Sequence, residues 1–289
     1  MRERGWGRTR SGRWVVDALL WPSDIRLIRN QYRDEFGRFP RLLFPRTFNE
    51  KIQRTKAFAR CPRYTRYADK IAVRDMVKKR VGPHILNELL WYGNDLDEAE
   101  RNALPHAFVI KANNGSGCNL IVRDAGSTDW ERLRATTAEW LKFNRRYDRH
   151  SAEWQYRWIE PRLLIEPLLP GPGGAVPLDY KFMCFHGRAE IIQVDVDRFT
   201  HHTRALFDRS FNRLPVGLKF PRYEGVLPKP DSFNEMMEIA EALSNGESFM
   251  RVDLYDCGRP VFGELTLAPG SGLEHFDPPE WDLRLGQLW

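Results

Sequence analysis

A mixed fold of the α/β class, more narrowly α+β, is predicted for this 289-residue chain by three features. Apolar residues recur at helical spacing behind capping signals through the first hundred positions. A short apolar strand, a Gly/Asn loop and a second strand follow at 107–124, and the last third alternates strands with tight turns.

Taken in order, residues 14–36 mix apolar and charged positions in a way that permits a helix. "TFNEKIQRTKAF" at 47–58 is firmer, because Thr47 as N-cap with Glu50 three residues on forms a capping box. "YADKIAVRDMVKKRVG" at 67–82 repeats apolar positions at three and four and predicts one helix, stopped by Gly82 and Pro83. After the strand pair at 107–124, a helix over 128–143 presents Trp130, Leu133, Thr137, Trp140 and Leu141 inward. "PRLLIEPLLPGPGGAVP" at 161–177 runs from a strand through Glu166 into a Pro/Gly connection. Strands at 179–186 and 189–198 turn at His186, Gly187 and Arg188. A helix at 233–244, with Ser232 and Glu235 as a second capping box, leads into a hairpin over 249–266. Four segments result: a basic arm and helix (1–44), a helical region (45–103), a small α/β unit (104–166) and an antiparallel-sheet unit (167–289).

Composition excludes several classes. A 42% hydrophobic content in 289 residues supports a buried core. Cys61, Cys118, Cys184 and Cys257 are far apart and form no CxxC pair, so neither a zinc site nor a disulfide framework is indicated, and a reducing, cytoplasmic location is expected. "WVVDALLWP" at 14–22 carries Asp17 and is too short to span a bilayer. The net charge of +6 is concentrated in Arg2, Arg4, Arg8, Arg10 and Arg13. No nucleic-acid signature accompanies that arm, so no nucleic acid is expected; peripheral contact of the arm with an anionic surface stays open.

Chemistry concentrates in "RVDLYDCGRPVFGELTLAPGSG", 251–272. Side chains alternate along a strand, so Arg251, Asp253 and Tyr255 share a face, as do Phe262, Glu264 and Thr266. With Asp256 to Arg259 as the turn, Arg251 pairs with Glu264 and Asp253 with Phe262, leaving Asp253 diagonal to Glu264 at about 7–8 Å. Converging carboxylates need a cation between them. Arg251 alone, as a structural ion pair, and Mg²⁺ shared with a nucleotide's phosphates are both open on charge pattern. The Gly-rich "APGSG" behind the acidic strand offers backbone N–H groups to an anion. "KANNGSGCN" at 111–119 is similarly able to fold over a polyphosphate, with Lys111 as a fixed charge.

In this order the stretches "FNEKIQ", "ADKIAVRD", "FVIKANNGSGCN", "DYKFMCFHG", "RVDLY" and "FGELTLAPGSG" resemble the TupA-like branch of the ATP-grasp superfamily, over about residues 45–286. The resemblance implies an ATP-grasp fold with a helical N-terminal region, a small α/β lid and a C-terminal antiparallel-sheet sub-domain. It implies ATP and Mg²⁺ as cofactors. Lys70 and Lys111 are similar to the two lysines on the ATP phosphates, and Asn113, Asn114, Gly115, Ser116 and Gly117 to the loop closing over them. Glu166, Pro167, Leu168 and Leu169 resemble the hinge at the adenine edge, and Lys181 a basic residue on the phosphates. Asp253 and Glu264 resemble the metal ligands, with Thr266 where many ligases present asparagine. Arg251 resembles the arginine that steadies the transferred phosphoryl group.

The implied reaction is ATP-dependent joining of a carboxylate to an amine through an acyl phosphate, with a small-molecule or glycan carboxylate and an amine or amino acid as partners. A phosphotransferase and a non-catalytic nucleotide-binding module are the alternatives. Phosphoryl transfer needs positioning and charge neutralisation more than a protein nucleophile, which suits Lys181, Arg251 and Arg204 as catalytic candidates. "DVDRFTHHTRALFD" at 195–208 offers Arg198, His201, His202 and Arg204 to an anionic acceptor or to the phosphates, and Gly270 and Ser271 are further acceptor candidates.

Overall fold

The computed structural model describes residues 10–99, 103–144, 147–171, 177–197 and 201–289, with the side chains of 10–12 and 144 excepted. Four helices come first: α1 (Arg10–Phe36), α2 (Phe48–Phe58), α3 (Pro62–Ala68) and α4 (Val73–Arg80). A four-stranded antiparallel sheet follows, from β1 (Trp91–Gly93), β2 (Phe108–Ala112), β3 (Asn119–Val122) and β4 (Leu163–Pro167), in the order β1-β4-β2-β3. Between β3 and β4 run α5 (Trp130–Asn144) and α6 (Tyr147–Ser151).

The larger sheet contains β5 (Asp179–Phe185), β6 (Arg188–Val196) and β7 (Thr203–Asp208). A two-residue strand, β8 (Gly217–Leu218), and helix α7 (Phe233–Ser244) precede its last pair, β9 (Phe249–Asp256) and β10 (Pro260–Thr266). The order is β10-β9-β5-β6-β7, antiparallel throughout. A short strand β11 (Phe276–Asp277) pairs with β8, and α8 (Glu280–Leu288) closes the chain.

Burial explains the layering. On one face of the large sheet Phe182, Val194, Val252, Leu254 and Phe262 pack against α7, whose Met236, Ile239, Ala240 and Leu243 form its inner stripe. On the other face only half of the surface is apolar: Met183, Phe185, Leu206 and Phe249 pack with Phe48 and Ile52 of α2 and Leu285 of α8. The remaining half carries charges. In the small sheet, Phe108, Ile110 and Ile165 pack against Leu133, Trp130 and Trp140 of α5.

The capping box at α2 is present: the Glu50 amide donates to Thr47 Oγ1, and the buried Glu50 carboxylate accepts from the backbone of Arg46 and Thr47 and from Arg38. Three expectations are corrected. The predicted helix over 67–82 breaks between Ala68 and Val73, because Asp69 Oδ1 accepts from the amides of Ile71 and Ala72 and the Lys70 amide donates to the Asn113 carbonyl. Local side-chain acceptance competes with the helix there and turns Lys70 toward the small sheet. Ser232 does not cap α7; its hydroxyl donates to Asp256 at 3.0 Å.

The third correction concerns the hairpin. Pro260 pairs with Asp256 rather than Tyr255, and a bulge at Gly263 then brings Glu264 directly opposite Asp253 and Thr266 opposite Arg251. One extra residue inverts the alternation, so Phe262 faces the core while Glu264 and Thr266 face the charged side. The backbone is close there. A Cβ on Gly263 meets the Asp253 carbonyl oxygen and the Tyr255 ring, both at 3.1 Å.

Gly263→Val is accordingly expected to cost about 1–3 kcal/mol through overpacking of the bulge, read as a lower urea midpoint. An unchanged midpoint would show that the bulge does not depend on glycine.

Candidate functional site

Pairing sets the site. Lys181 on β5, Asp253 on β9 and Glu264 on β10 lie side by side across three neighbouring strands. The next row is Met183, Arg251 and Thr266, and on the other side Asp179 pairs with Tyr255 and with Asp195 of β6. All the charges of these rows stand on the half-face that carries no apolar packing.

Contacts follow from those rows. Arg251 grips Asp253 with two hydrogen bonds, Nε to Oδ1 at 2.7 Å and Nη2 to Oδ2 at 2.8 Å, and its Nη2 reaches Thr266 Oγ1 at 3.1 Å and Glu264 Oε1 at 3.4 Å. Lys181 Nζ donates to Asp253 Oδ2 at 2.7 Å and to Asp179. Asp253 is 2% exposed and Lys181 5%. Withdrawing such ions from water costs several kcal/mol each, and well-packed apolar residues in their place are often neutral or stabilising by about 1–4 kcal/mol. Fold stability is therefore a poor reason for their presence.

Lys70 ties this face to the loop after β2. Its Nζ lies 3.3 Å from Glu264 Oε2 and donates to the Gly115 carbonyl at 3.3 Å. Gly115 and Gly117 adopt left-handed φ of 74° and 80°, which glycine tolerates without strain. Ser116 and Gly117 are exposed, whereas Asn113 and Asn114 are buried. The Asn113 side chain is engaged in holding the loop, donating to Asp69 and the Glu160 carbonyl and accepting from the Arg162 amide. Lys111, on the same face of the small sheet, donates to Glu166 Oε2 at 2.7 Å, and Arg74 of α4 to its Oε1 at 3.1 Å. Pro167, Leu168 and Leu169 are half-buried, and the Pro167 carbonyl accepts from Asn87.

The acceptor candidates separate. Gly270 and Ser271 lie in a turn with left-handed φ of 54° and 56°. α2 holds that turn: Gln53 donates to the carbonyls of Ser271 and Gly272, and Lys56 to the Ser271 carbonyl and hydroxyl at 3.2 and 2.8 Å. Arg204 sits on β7, three strands from Asp253 or about 14 Å at the usual strand spacing, with its guanidinium on Asp195 and the Leu218 carbonyl. It is not in contact with the Lys181, Asp253 and Glu264 row. His201 is exposed, and Arg198 falls outside the described residues.

Four groups escaped the sequence reading. Asp179 shares a face with Lys181 by strand alternation, a signal present in "DYK". Arg74 follows Lys70 by one helical turn. Lys56 completes a polar stripe with Asn49 and Gln53 on the buried side of α2. Glu153 has no sequence signal; burial raises its carboxyl to about 7, while the same burial lowers the neighbouring Lys56 ammonium to about 8.

For Glu264, burial alone raises the carboxyl, but the ammonium of Lys70 and the guanidinium of Arg251, helped by Lys181, outweigh it and hold the group at about 2. Asp253, Glu264 and Thr266 form an oxygen-only donor set, which suits a hard cation such as Mg²⁺ that takes further oxygens from phosphates. Asp253 has both oxygens on Arg251 and Lys181, whereas Glu264 makes only long contacts and is 37% exposed at its side chain. Glu264 is thus the carboxylate with coordination to offer. Among the described residues no three His, Cys, Asp or Glu group together as a self-sufficient metal cage.

A sequence model of the family described as TupA-like ATPgrasp matches residues 50–289. No curated protein matches the chain. Among solved structures, D-alanine–D-alanine ligase from Bacillus anthracis is 18% identical over 70% of this chain and 57% of its own, with a TM-score of 0.42. The ADP complex of purK, N5-carboxyaminoimidazole ribonucleotide synthetase, is 9% identical over 70% and 45%, at 0.44. The ATP-grasp ligase PsnB, complexed with a phosphomimetic precursor variant, Mg and ADP, is 12% identical over 71% and 52%, at 0.41. The chain spans about half the length of these structures.

Because the Glu264 carboxyl sits below its ordinary 4.5, its contribution to stability is present above about 4.5 and is lost as pH falls toward about 2. Acid unfolding of the wild type is expected to steepen across that window relative to Glu264→Gln. Parallel curves would contradict the charge assignment.

Proposed function

The chain belongs to the TupA-like ATP-grasp family, and from that membership we propose that it is an ATP-dependent carboxylate–amine ligase. One observation carries the reading. Three cations, Lys70, Lys181 and Arg251, converge with Asp253 and Glu264 between a Gly-rich loop and a charged half-sheet, and Lys111, at the start of that loop, pairs with Glu166.

The chemistry asked of such a site is neutralisation. A substrate carboxylate oxygen attacks the γ-phosphorus of ATP, ADP leaves, and the amine nitrogen then attacks the acyl carbon, losing its proton as phosphate departs. Charge accumulates on phosphate oxygens, where preorganised cations stabilise it without solvent reorganisation. Lys70 and Lys181 hold the phosphates, and Arg251, fixed by two bonds to Asp253, presents its remaining surface to the transferred group. The exposed Ser116 and Gly117 would close over the phosphates, and Glu166 to Leu169 would border the base. Glu264, with Asp253 behind it and Thr266 beside it, would hold Mg²⁺, which when bound would supply further charge neutralisation on the phosphate oxygens.

Thr266 is a weaker ligand than the asparagine many ligases use, and its hydroxyl already accepts from Arg251. Coordination on the Glu264 side is therefore looser. The Gly270 and Ser271 turn borders the acceptor. The carboxylate is proposed to belong to a sugar acid or glycan and the amine to an amino acid, in line with the partners that the family resemblance implies.

Sustained ADP release, beyond one equivalent per chain, is expected only when ATP, Mg²⁺, a carboxylate acceptor and an amine are all present. Release without any amine, together with a stable phosphorylated product, would favour a phosphotransferase. Glu264→Gln is expected to lower kcat by at least about a hundredfold with the fold retained, judged by an unchanged far-UV spectrum. Full activity in that variant would remove the metal-ligand assignment.

A further inference from the structure

The first half of α1 inverts the usual arrangement of a surface helix. Such helices turn apolar residues inward and charges outward. Here Asp17 points inward, with its carboxylate 2.8 Å from Arg157 Nη1 and accepting from the Trp158 indole at 3.2 Å. Outward stand Trp14 at 63% exposure and Leu19 at 74%, together with Val15, Ala18 and Pro22. The spacing 14, 15, 18, 19, 22 is that of a single helical stripe. The segment is held by polar anchors, including the Trp21 indole on the Ala57 carbonyl at 2.8 Å, while Val16 and Leu20 are half-buried and Trp14, Val15 and Leu19 stay exposed.

The inner flank is also open. A cavity of about 410 Å³ lies between this half of α1 and the end of α2, lined in part by Trp14, Ala18, Trp21 and Phe58. From Asp24 onward the same helix packs normally, with Ile28 and Tyr32 fully buried. The uncovered stripe is therefore a local feature of residues 14–22. It follows directly on the most basic part of the chain, where Arg2, Arg4, Arg8, Arg10 and Arg13 are accompanied by the single acid Glu3.

We propose that residues 13–22 of α1 lie in the surface of an anionic bilayer, with Trp14, Val15 and Leu19 at the boundary of headgroups and acyl chains, the basic charge of the adjoining sequence favouring anionic over neutral lipid. Charge complementarity selects lipid: the adjoining sequence carries five arginines against one acid, an excess that an anionic surface neutralises and a second, equally basic copy does not. Apolar residues with an interfacial tryptophan and a basic flank are what an in-plane helix needs. Among the described residues no helix is long and apolar enough to cross a membrane, so the contact is peripheral. This inference does not rest on the proposed ligase reaction.

Flotation of the full chain with vesicles of phosphatidylcholine alone, or with about a third of phosphatidylglycerol, tests it. Binding is expected to the anionic vesicles, weakening as NaCl is raised, since surface attraction is screened by salt. Trp14→Ser with Leu19→Ser is expected to bind at least about tenfold more weakly, while its thermal unfolding matches that of the wild type because both side chains are exposed. Equal binding to both vesicle types, no binding to either, or unchanged binding by the double variant would overturn the proposal. So would a dimer on size exclusion that the same double substitution dissociates, because that would give the stripe to a second copy.

Discussion

Asp253 depends on having a cation on each side of it. It is almost wholly removed from water, and a lone carboxylate there would be a buried, uncompensated charge. Lys181 from the neighbouring strand and Arg251 from two residues away on its own strand compensate it. Once those two are committed, the spacing of the remaining groups is set. Arg251 reaches on to Thr266 and Glu264, and Glu264 draws Lys70 out of the broken helix between α3 and α4. Sheet register and electrostatics specify the same arrangement.

Much of the rest of the fold reads as support for that half-face. The bulge at Gly263 turns Glu264 up and Phe262 down, so that one hairpin serves core and site together. The Lys70 amide on the Asn113 carbonyl joins the small sheet to the helices that border the large one. α2 grips the turn at Ser271 through Gln53 and Lys56, and its capping box fixes where that helix begins. Residues of "FNEKIQ" touch none of the clustered charges at Asp253 and Glu264. They hold the segments that carry them.

The sequence made the element types legible because periodicity and capping are local. The strand pair around the Gly/Asn loop, the turn at His186 and Gly187, and the helices α2, α5 and α7 stand where spacing predicts them. Family membership was legible from six stretches in order. Register was not: a one-residue bulge leaves no mark on an alternating pattern except a glycine, and Gly263 is as compatible with regular pairing as with the bulge. The break at Asp69 was hidden for a similar reason, since its side-chain acceptance and the Asn113 carbonyl become decisive only once the small sheet is in place. Arg204's partner was not legible either, since an arginine near a motif says nothing of what it pairs with; Asp195, opposite it on the next strand, takes its guanidinium. Glu153 and Lys56 could not be found together at all, since their proximity is purely tertiary.

The central proposal is that the charged half-face is a Mg²⁺–nucleotide phosphate site. Calorimetric titration of the wild type and Lys70→Met with a non-hydrolysable ATP analogue, with and without Mg²⁺, tests it most directly, since it requires no knowledge of the acceptor. One-to-one binding that depends on Mg²⁺ and weakens at least about tenfold in Lys70→Met is the expected result. Absence of binding by the wild type, or binding indifferent to both the metal and Lys70, would contradict it.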